Sequence, residues 1–174
     1  MSARAALSAG WLKYRVVNAP EDFDPWLGRD IGAGNFARID SINAPFVPFA
    51  VADGREAVKL LRRRASEFGI APNRIGMLGF SAGGTLIASV AQTCDAESRP
   101  DFIALVYAYC GAILGDAVPE DAPPLFQALA GNDPIADGNP DLYKKWREAG
   151  RPAELHIYPE GGHGFALQAQ NLPV

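Results

Sequence analysis

The residues that could do chemistry begin at Gly79-Phe80-Ser81-Ala82-Gly83-Gly84. A serine with glycines two residues before and after it fits G-x-S-x-G, the pattern of a nucleophile raised on a sharp strand-to-helix turn. Strand and helix backbones nearly touch at such a turn, so Gly79 and Gly83 are both expected to be required there. The plainer reading is a glycine-rich turn with an incidental serine. Phosphate binding would need a Walker-type lysine after Gly84 or a G-x-G-x-x-G pattern, and neither is present. A serine hydroxyl attacks only when a base takes its proton, and imidazole suits the task because it titrates near neutrality. Two histidines are available, His156 and His163. His156 falls inside a predicted strand, the setting of a packed or edge side chain. His163 follows that strand in Glu160-Gly161-Gly162-His163-Gly164-Phe165, a glycine-rich loop, and is the candidate base. For a serine on this kind of turn the orienting acid lies between serine and histidine in chain order. Asp133, in Gly131-Asn132-Asp133-Pro134, fits best; Asp137 is the fallback, and an aspartate before proline is also an ordinary turn residue. Ala82 can offer its backbone N–H to a developing oxyanion from the first turn of the following helix.

Those side chains need elements to carry them. Residues 9–17 mix aromatic, β-branched and basic residues and predict a short strand. Residues 18–52 are rich in Pro, Gly and Asp without clear periodicity and predict a long surface loop or lid. Asp53 is placed to cap a helix with Ala57, Leu60, Leu61, Ala65 and Phe68 on one face and Gly69 as its stop. Residues 74–79 predict a buried strand, 82–92 a helix of small and apolar residues, and 102–109 and 124–130 two further strands. Asn139 and Pro140 read as cap and first turn of a helix ended by Gly150, and 153–158 as the last strand. This alternation predicts a mostly parallel sheet covered on both faces, with chemistry at the carboxyl ends of its strands.

With 174 residues, 48% of them hydrophobic, the chain can bury one core, and a single domain over 1–174 is the default. Sixteen basic and twenty acidic side chains give a net charge of −4 with no long block of either sign, which argues against a nucleic-acid partner. Lys59, Arg62, Arg63 and Arg64 fall on a predicted helix as a solvated face. Cys94 and Cys110 have no metal-ligand spacing and are expected to be reduced core residues. No apolar run approaches the roughly 20 residues of a membrane span, and residues 1–10 lack the pattern of a secretory signal. Trp26, Phe80, Tyr107 and Tyr109 could line a pocket, although aromatic residues in such elements are more often core.

Together these segments resemble the α/β-hydrolase serine esterases, in particular the acetyl-xylan and feruloyl esterases of bacterial carbohydrate degradation. The resemblance runs through Leu12-Lys13-Tyr14-Arg15, Asn73-Arg74-Ile75-Gly76, Gly79 to Gly84, Gly131 to Pro134 and Glu154 to Phe165. It implies a three-layer α/β-hydrolase fold, a Ser81, Asp133 and His163 triad, and hydrolysis of short acyl esters, including acetyl or feruloyl groups on carbohydrates, without a metal or organic cofactor. The rivals are an oligopeptidase-like serine hydrolase with the same triad and a remnant that no longer turns over. Family members carry further N-terminal strands, a His-Gly-Gly-Gly-type loop donating to the oxyanion, and a final helix; none of these has a counterpart here, so the chain reads as trimmed at both ends. Loss of one oxyanion donor typically costs about 100- to 1000-fold in rate. Trimming would also leave an open edge beside the nucleophile strand, which a shifted N-terminal strand or a second copy of the chain would cover. It leaves the compartment open as well, with the cytoplasm as default.

Overall fold

In the computed structural model of the protein, residues 8–16, 28–31 and 33–167 are described. Val17, Trp26 and residues 18–27 of the expected loop lie outside them. Four short strands, β1 (Gly76–Phe80), β2 (Phe102–Val106), β3 (Leu125–Ala130) and β4 (Ala153–Tyr158), form one parallel sheet in the order β1-β2-β3-β4. Between them run α3 (Ala82–Thr93) and α4 (Asn139–Glu148), and ahead of them α1 (Phe36–Asn43) and α2 (Val47–Arg63). Each strand pair is joined through a helix or a long connection, as parallel pairing demands.

The strands read as apolar runs because one of their faces is fully covered. Ile103 and Leu105 of β2, with Leu125, Gln127 and Leu129 of β3, point into the core. Helix α3 packs on β1 and β2, α4 on β3 and β4, and α2 on the far side of α3. Caught between sheet and α2, α3 is buried over Leu86 to Gln92, which explains its small, apolar composition. Gly54 lets α2 come close, since a methyl there would lie 2.7 Å from Val90 Cγ2. Trp146 anchors α4: it is fully buried, and its indole N–H donates to Pro123 O at 2.9 Å. The opposite sheet face carries exposed Leu78, Phe102 and Phe126, so two of the three expected layers lie among the described residues.

The basic residues of α2 are more than a solvated face. Arg62 donates to the carbonyls of Pro72, Glu97 and Arg99 and to Asp101 Oδ2, whose other donor is the Ile75 backbone N–H at 2.8 Å. That clamp fixes the entry to β1. Lys59 pairs with Asp95, Arg63 with Glu56 and Arg64 with Glu67.

Several expectations need correction. Residues 8–16 form no strand; Trp11 is wholly exposed, and the segment docks on α2 through Tyr14 and through Arg15, which grips Asp53 with backbone and side chain. It therefore does not cover β1, which is an edge strand among the described residues. The expected loop 18–52 contains α1 and the start of α2. Pro48 reads as a breaker but occupies the first turn of α2, where its missing N–H costs nothing, so the helix begins before Asp53 and that carboxylate is no cap. β2 stops at Val106, because Tyr107 turns to φ 42°. Asn139 does not cap α4; Gly138 holds that position and the Asn139 side chain turns into the core.

Candidate active site

Ser81 occupies the bend between β1 and α3. Its backbone has φ 50° and ψ −123°, a region that costs an L-residue about 1–3 kcal/mol. Hydrogen bonds over-determine the bend: the Ser81 N–H donates to Val106 O at 3.0 Å, and Ser81 O accepts from the N–H groups of Gly84 and Thr85 at 2.9 and 3.1 Å. Gly79 is required sterically, since a Cβ there would lie 2.6 Å from the carbonyl carbon and oxygen of Gly83. The expectation for Gly83 is corrected: a Cβ at that position meets nothing within 4 Å. The second close approach belongs to Gly84, whose Cβ would lie 2.6 Å from that of Ala108.

The structure brings Ser81, His163 and Asp133 together from three loops at the carboxyl ends of β1, β4 and β3. His163 Nε2 lies 2.8 Å from Ser81 Oγ, and His163 Nδ1 lies 2.8 Å from Asp133 Oδ2. The Asp133 side chain is 0% exposed and that of His163 29%, so the carboxylate is shielded while the imidazole is partly open to solvent. A carboxylate can only accept, so Nδ1 carries the ring proton and Nε2 is left to accept from the serine hydroxyl. Asp133 Oδ1 takes the Ile135 N–H at 3.0 Å, which fixes the carboxylate plane. The histidine loop turns on Gly161, Gly162 and Gly164, all at positive φ, and the Gly162 N–H donates to Asn132 Oδ1 at 2.8 Å. Asn132 thus ties the His163 loop to the Asp133 loop. Asp137 is exposed and outside this constellation. His156 stays on β4, 2.5 Å from Glu154 Oε1 and against Phe126.

Ala82 is the first residue of α3, where a helix N–H has no carbonyl of its own helix to meet. Nearby, Tyr109 stacks on Phe36 at 5.3 Å and donates its hydroxyl to Asp40 at 2.9 Å, holding α1 beside the carboxyl end of β2. Burial first, then the bond to Asp40, pushes the Tyr109 phenol up to about 12, so the donor keeps its proton. Cys110 is buried and Cys94 half-buried, and both are free. A cavity of about 260 Å³ lined by Phe102, Leu125, Phe126 and Ala153 lies at the amino ends of the strands, away from Ser81. Among the described residues no group of three His, Cys, Asp or Glu could hold a metal ion, and no helix is long and apolar enough to cross a membrane.

Sequence reasoning missed three residues that shape the site: Asn132, Tyr107 and Asn139. Asn132 adjoins Asp133, and its neighbourhood was the available signal. Tyr107 was grouped with aromatic residues of either pocket or core, and its position just past a strand end was the clue. Asn139 before Pro140 has a local meaning as a cap, which concealed its buried one.

A family profile described as the alpha/beta hydrolase fold matches residues 43–121. An acetylxylan esterase of Xylanibacter ruminicola is 29% identical over 149 residues, covering 67% of this chain and 31% of that protein. The crystal structure of an acetyl ester-xyloside bifunctional hydrolase from Caldicellulosiruptor lactoaceticus superposes with a TM-score of 0.61 at 29% identity, over 69% of this chain and 58% of that one. The carboxylesterase Cest-2923 of Lactobacillus plantarum superposes with a TM-score of 0.63 over 72% of this chain and 60% of that one; at 19% identity it bears on the fold alone. The chain thus spans about a third of the esterase sequence it matches and somewhat over half of these two structures. A parallel sheet with a strained serine at the end of β1, together with these likenesses, shows that this chain has the α/β-hydrolase fold and resembles esterases of that fold in both sequence and shape.

Proposed function

We propose that the chain is a serine carboxylesterase of short acyl esters, with Ser81 as nucleophile, His163 as base and Asp133 as the orienting acid. The observation that carries this reading is the unbroken relay Asp133 Oδ2, His163 Nδ1, His163 Nε2 and Ser81 Oγ, with both gaps at 2.8 Å. In the proposed reaction Oγ attacks the ester carbonyl while Nε2 takes its proton, and the Ala82 N–H faces the oxyanion. The imidazolium, stabilised by Asp133, returns the proton to the departing alcohol and leaves an acyl-serine. Water then attacks the acyl carbon with His163 again as base, releasing the carboxylic acid and restoring the hydroxyl. Acetyl or feruloyl groups on carbohydrates are the proposed substrates, and the acetylxylan esterase and the acetyl ester-xyloside hydrolase among similar proteins support the acetyl group.

A panel of p-nitrophenyl acetate, methyl ferulate, acetylated xylan and a peptide anilide tests the reading. Ester turnover that disappears in Ser81→Ala is the expected result. Anilide cleavage in preference to esters would favour the oligopeptidase-like alternative, and turnover unchanged in Ser81→Ala would end the proposal.

A further inference from the structure

The His163 loop cannot by itself hold the imidazole still. Gly161, Gly162 and Gly164 at positive φ give it a backbone shape but no stiffness. Beyond the hydrogen bonds at its two nitrogens, the ring is joined through Cβ to a loop of glycines, so its tilt depends on what packs beside it. Something must press on the ring from the side, and Tyr107 does. Its ring meets that of His163 edge-on at 4.9 Å and 62°, and also contacts Phe165 at 5.5 Å and Phe80 at 5.8 Å.

Tyr107 is held there against its own preferences. Its φ of 42° lies in the left-handed region that tyrosine avoids. Its buried hydroxyl has no hydrogen-bond partner among the described residues. Burial first, and then the Asp133 charge, raise the phenol's pKa, so it stays neutral. A strained backbone and an unsatisfied hydroxyl at one buried residue call for a compensating role. The surroundings supply the restraint. The Tyr107 N–H donates to Ala128 O at 2.7 Å, and the next carbonyl, Ala108 O, accepts from Asn139 Nδ2 at 2.7 Å. The same amide donates to Ala136 O in the acid loop at 2.7 Å, and Asn139 Oδ1 accepts from Gln127 Nε2 at 2.9 Å. One buried side chain therefore ties the turn that aims Tyr107 to the loop that carries Asp133.

We infer that Tyr107 is a positioning residue whose ring seats the His163 imidazole between Asp133 and Ser81, with Asn139 locking the strained turn that aims it. This rests on the reading of Ser81 and His163 as nucleophile and base. The ring does the work and the unpartnered hydroxyl does not, which separates two variants. Tyr107→Phe keeps the ring, whereas Tyr107→Met fills the space with an unbranched side chain and no ring edge. With p-nitrophenyl acetate, Tyr107→Phe is expected to keep kcat within about threefold of the parent. Tyr107→Met is expected to lose about 10- to 100-fold in kcat, the scale of a misplaced reacting group, with KM nearly unchanged. Proton NMR of the His163 ring, read alongside, should show its resonances moved in the Met variant and not in the Phe variant.

A folded Tyr107→Met with parental kcat and unmoved His163 resonances would overturn the inference. So would a Tyr107→Phe that loses activity as the Met variant should. If Tyr107→Met does not fold, Tyr107→Phe decides alone: parental kcat with unmoved His163 resonances supports the ring's role, and loss of either overturns it. Failure of the parent to turn over any ester, or full activity in Ser81→Ala, would instead refute the functional reading. The NMR comparison would still test the seat.

Discussion

Gly79→Ala would place a methyl group 2.6 Å from the Gly83 carbonyl carbon and oxygen and 2.6 Å from Ile87 Cδ1. Carbon atoms in ordinary contact lie about 3.5–4.0 Å apart, so about 1 Å of separation must be found. Two of the three neighbours are backbone, so a rotamer change cannot supply it and β1 and α3 must move apart. Overpacking of this kind costs about 1–3 kcal/mol, or about 2–12 °C in melting temperature for a chain of this size. Ser81 joins the two elements, so the same shift reaches its 2.8 Å contact with His163 Nε2. A displacement of about 1 Å costs about 100-fold in turnover. Gly83→Ala is the internal control from the same motif: its Cβ meets nothing within 4 Å, and alanine is favoured over glycine in a helix by up to about 1 kcal/mol. Thermal melts by circular dichroism and p-nitrophenyl acetate hydrolysis read both variants. A Gly79→Ala protein that melts and turns over like the parent, or a Gly83→Ala protein that melts lower than Gly79→Ala, would refute this account of the bend.

Asp133→Asn keeps an acceptor for the Ile135 N–H but turns an amide donor toward His163 Nδ1, forcing the other tautomer; kcat should fall by about 10,000-fold with little change in melting, and most of the activity surviving would contradict the assignment. Hydrogen bonds from the Ser98 N–H and hydroxyl, with Lys59 and Arg55 adding to them, hold the Asp95 carboxylate well below the usual range. Its folded pKa is depressed, so its stabilisation is present above the ordinary Asp value of about 3.9 and fades as pH falls from there toward the folded value. The melting gap between the parent and Asp95→Asn should stay level from about pH 8 to 5 and narrow below about pH 4, and a gap that widens on acidification would be the wrong sign. The outer edge of β1, unpaired among the described residues, predicts association with a second copy; sedimentation velocity should show a concentration-dependent dimer, and a monomer at all concentrations argues against it.

What could be read from sequence was the part of the structure specified by neighbours in the chain. The bend at Ser81 is such a part, because strand, glycines and helix follow one another directly from Gly76 to Thr93. So is β4, whose run from Ala153 to Tyr158 was placed to the residue. The loop positions of Asp133 and His163 followed from those elements. The errors lie where a distant partner overrides a local signal. Asn139 next to Pro140 has every local feature of a cap, yet its amide serves Ala108, 31 residues away. Residues 9–17 have strand composition, but Arg15 is claimed by Asp53, 38 residues on. Helix α1 has no buried residue among its eight, so no apolar stripe announced it. The strain at Tyr107 was equally invisible, because only the fold decides where β2 must turn. Conversely, Gly83 looked essential by its motif position, and only coordinates distinguish its open surroundings from those of Gly79 and Gly84.

Intact-mass spectrometry after exposure to a fluorophosphonate probe reaches the central claim without any choice of ester. A hydroxyl activated by its neighbouring imidazole should gain one adduct per chain, mapped by peptide sequencing to Ser81. An unmodified chain, or an adduct that persists in Ser81→Ala, would contradict it.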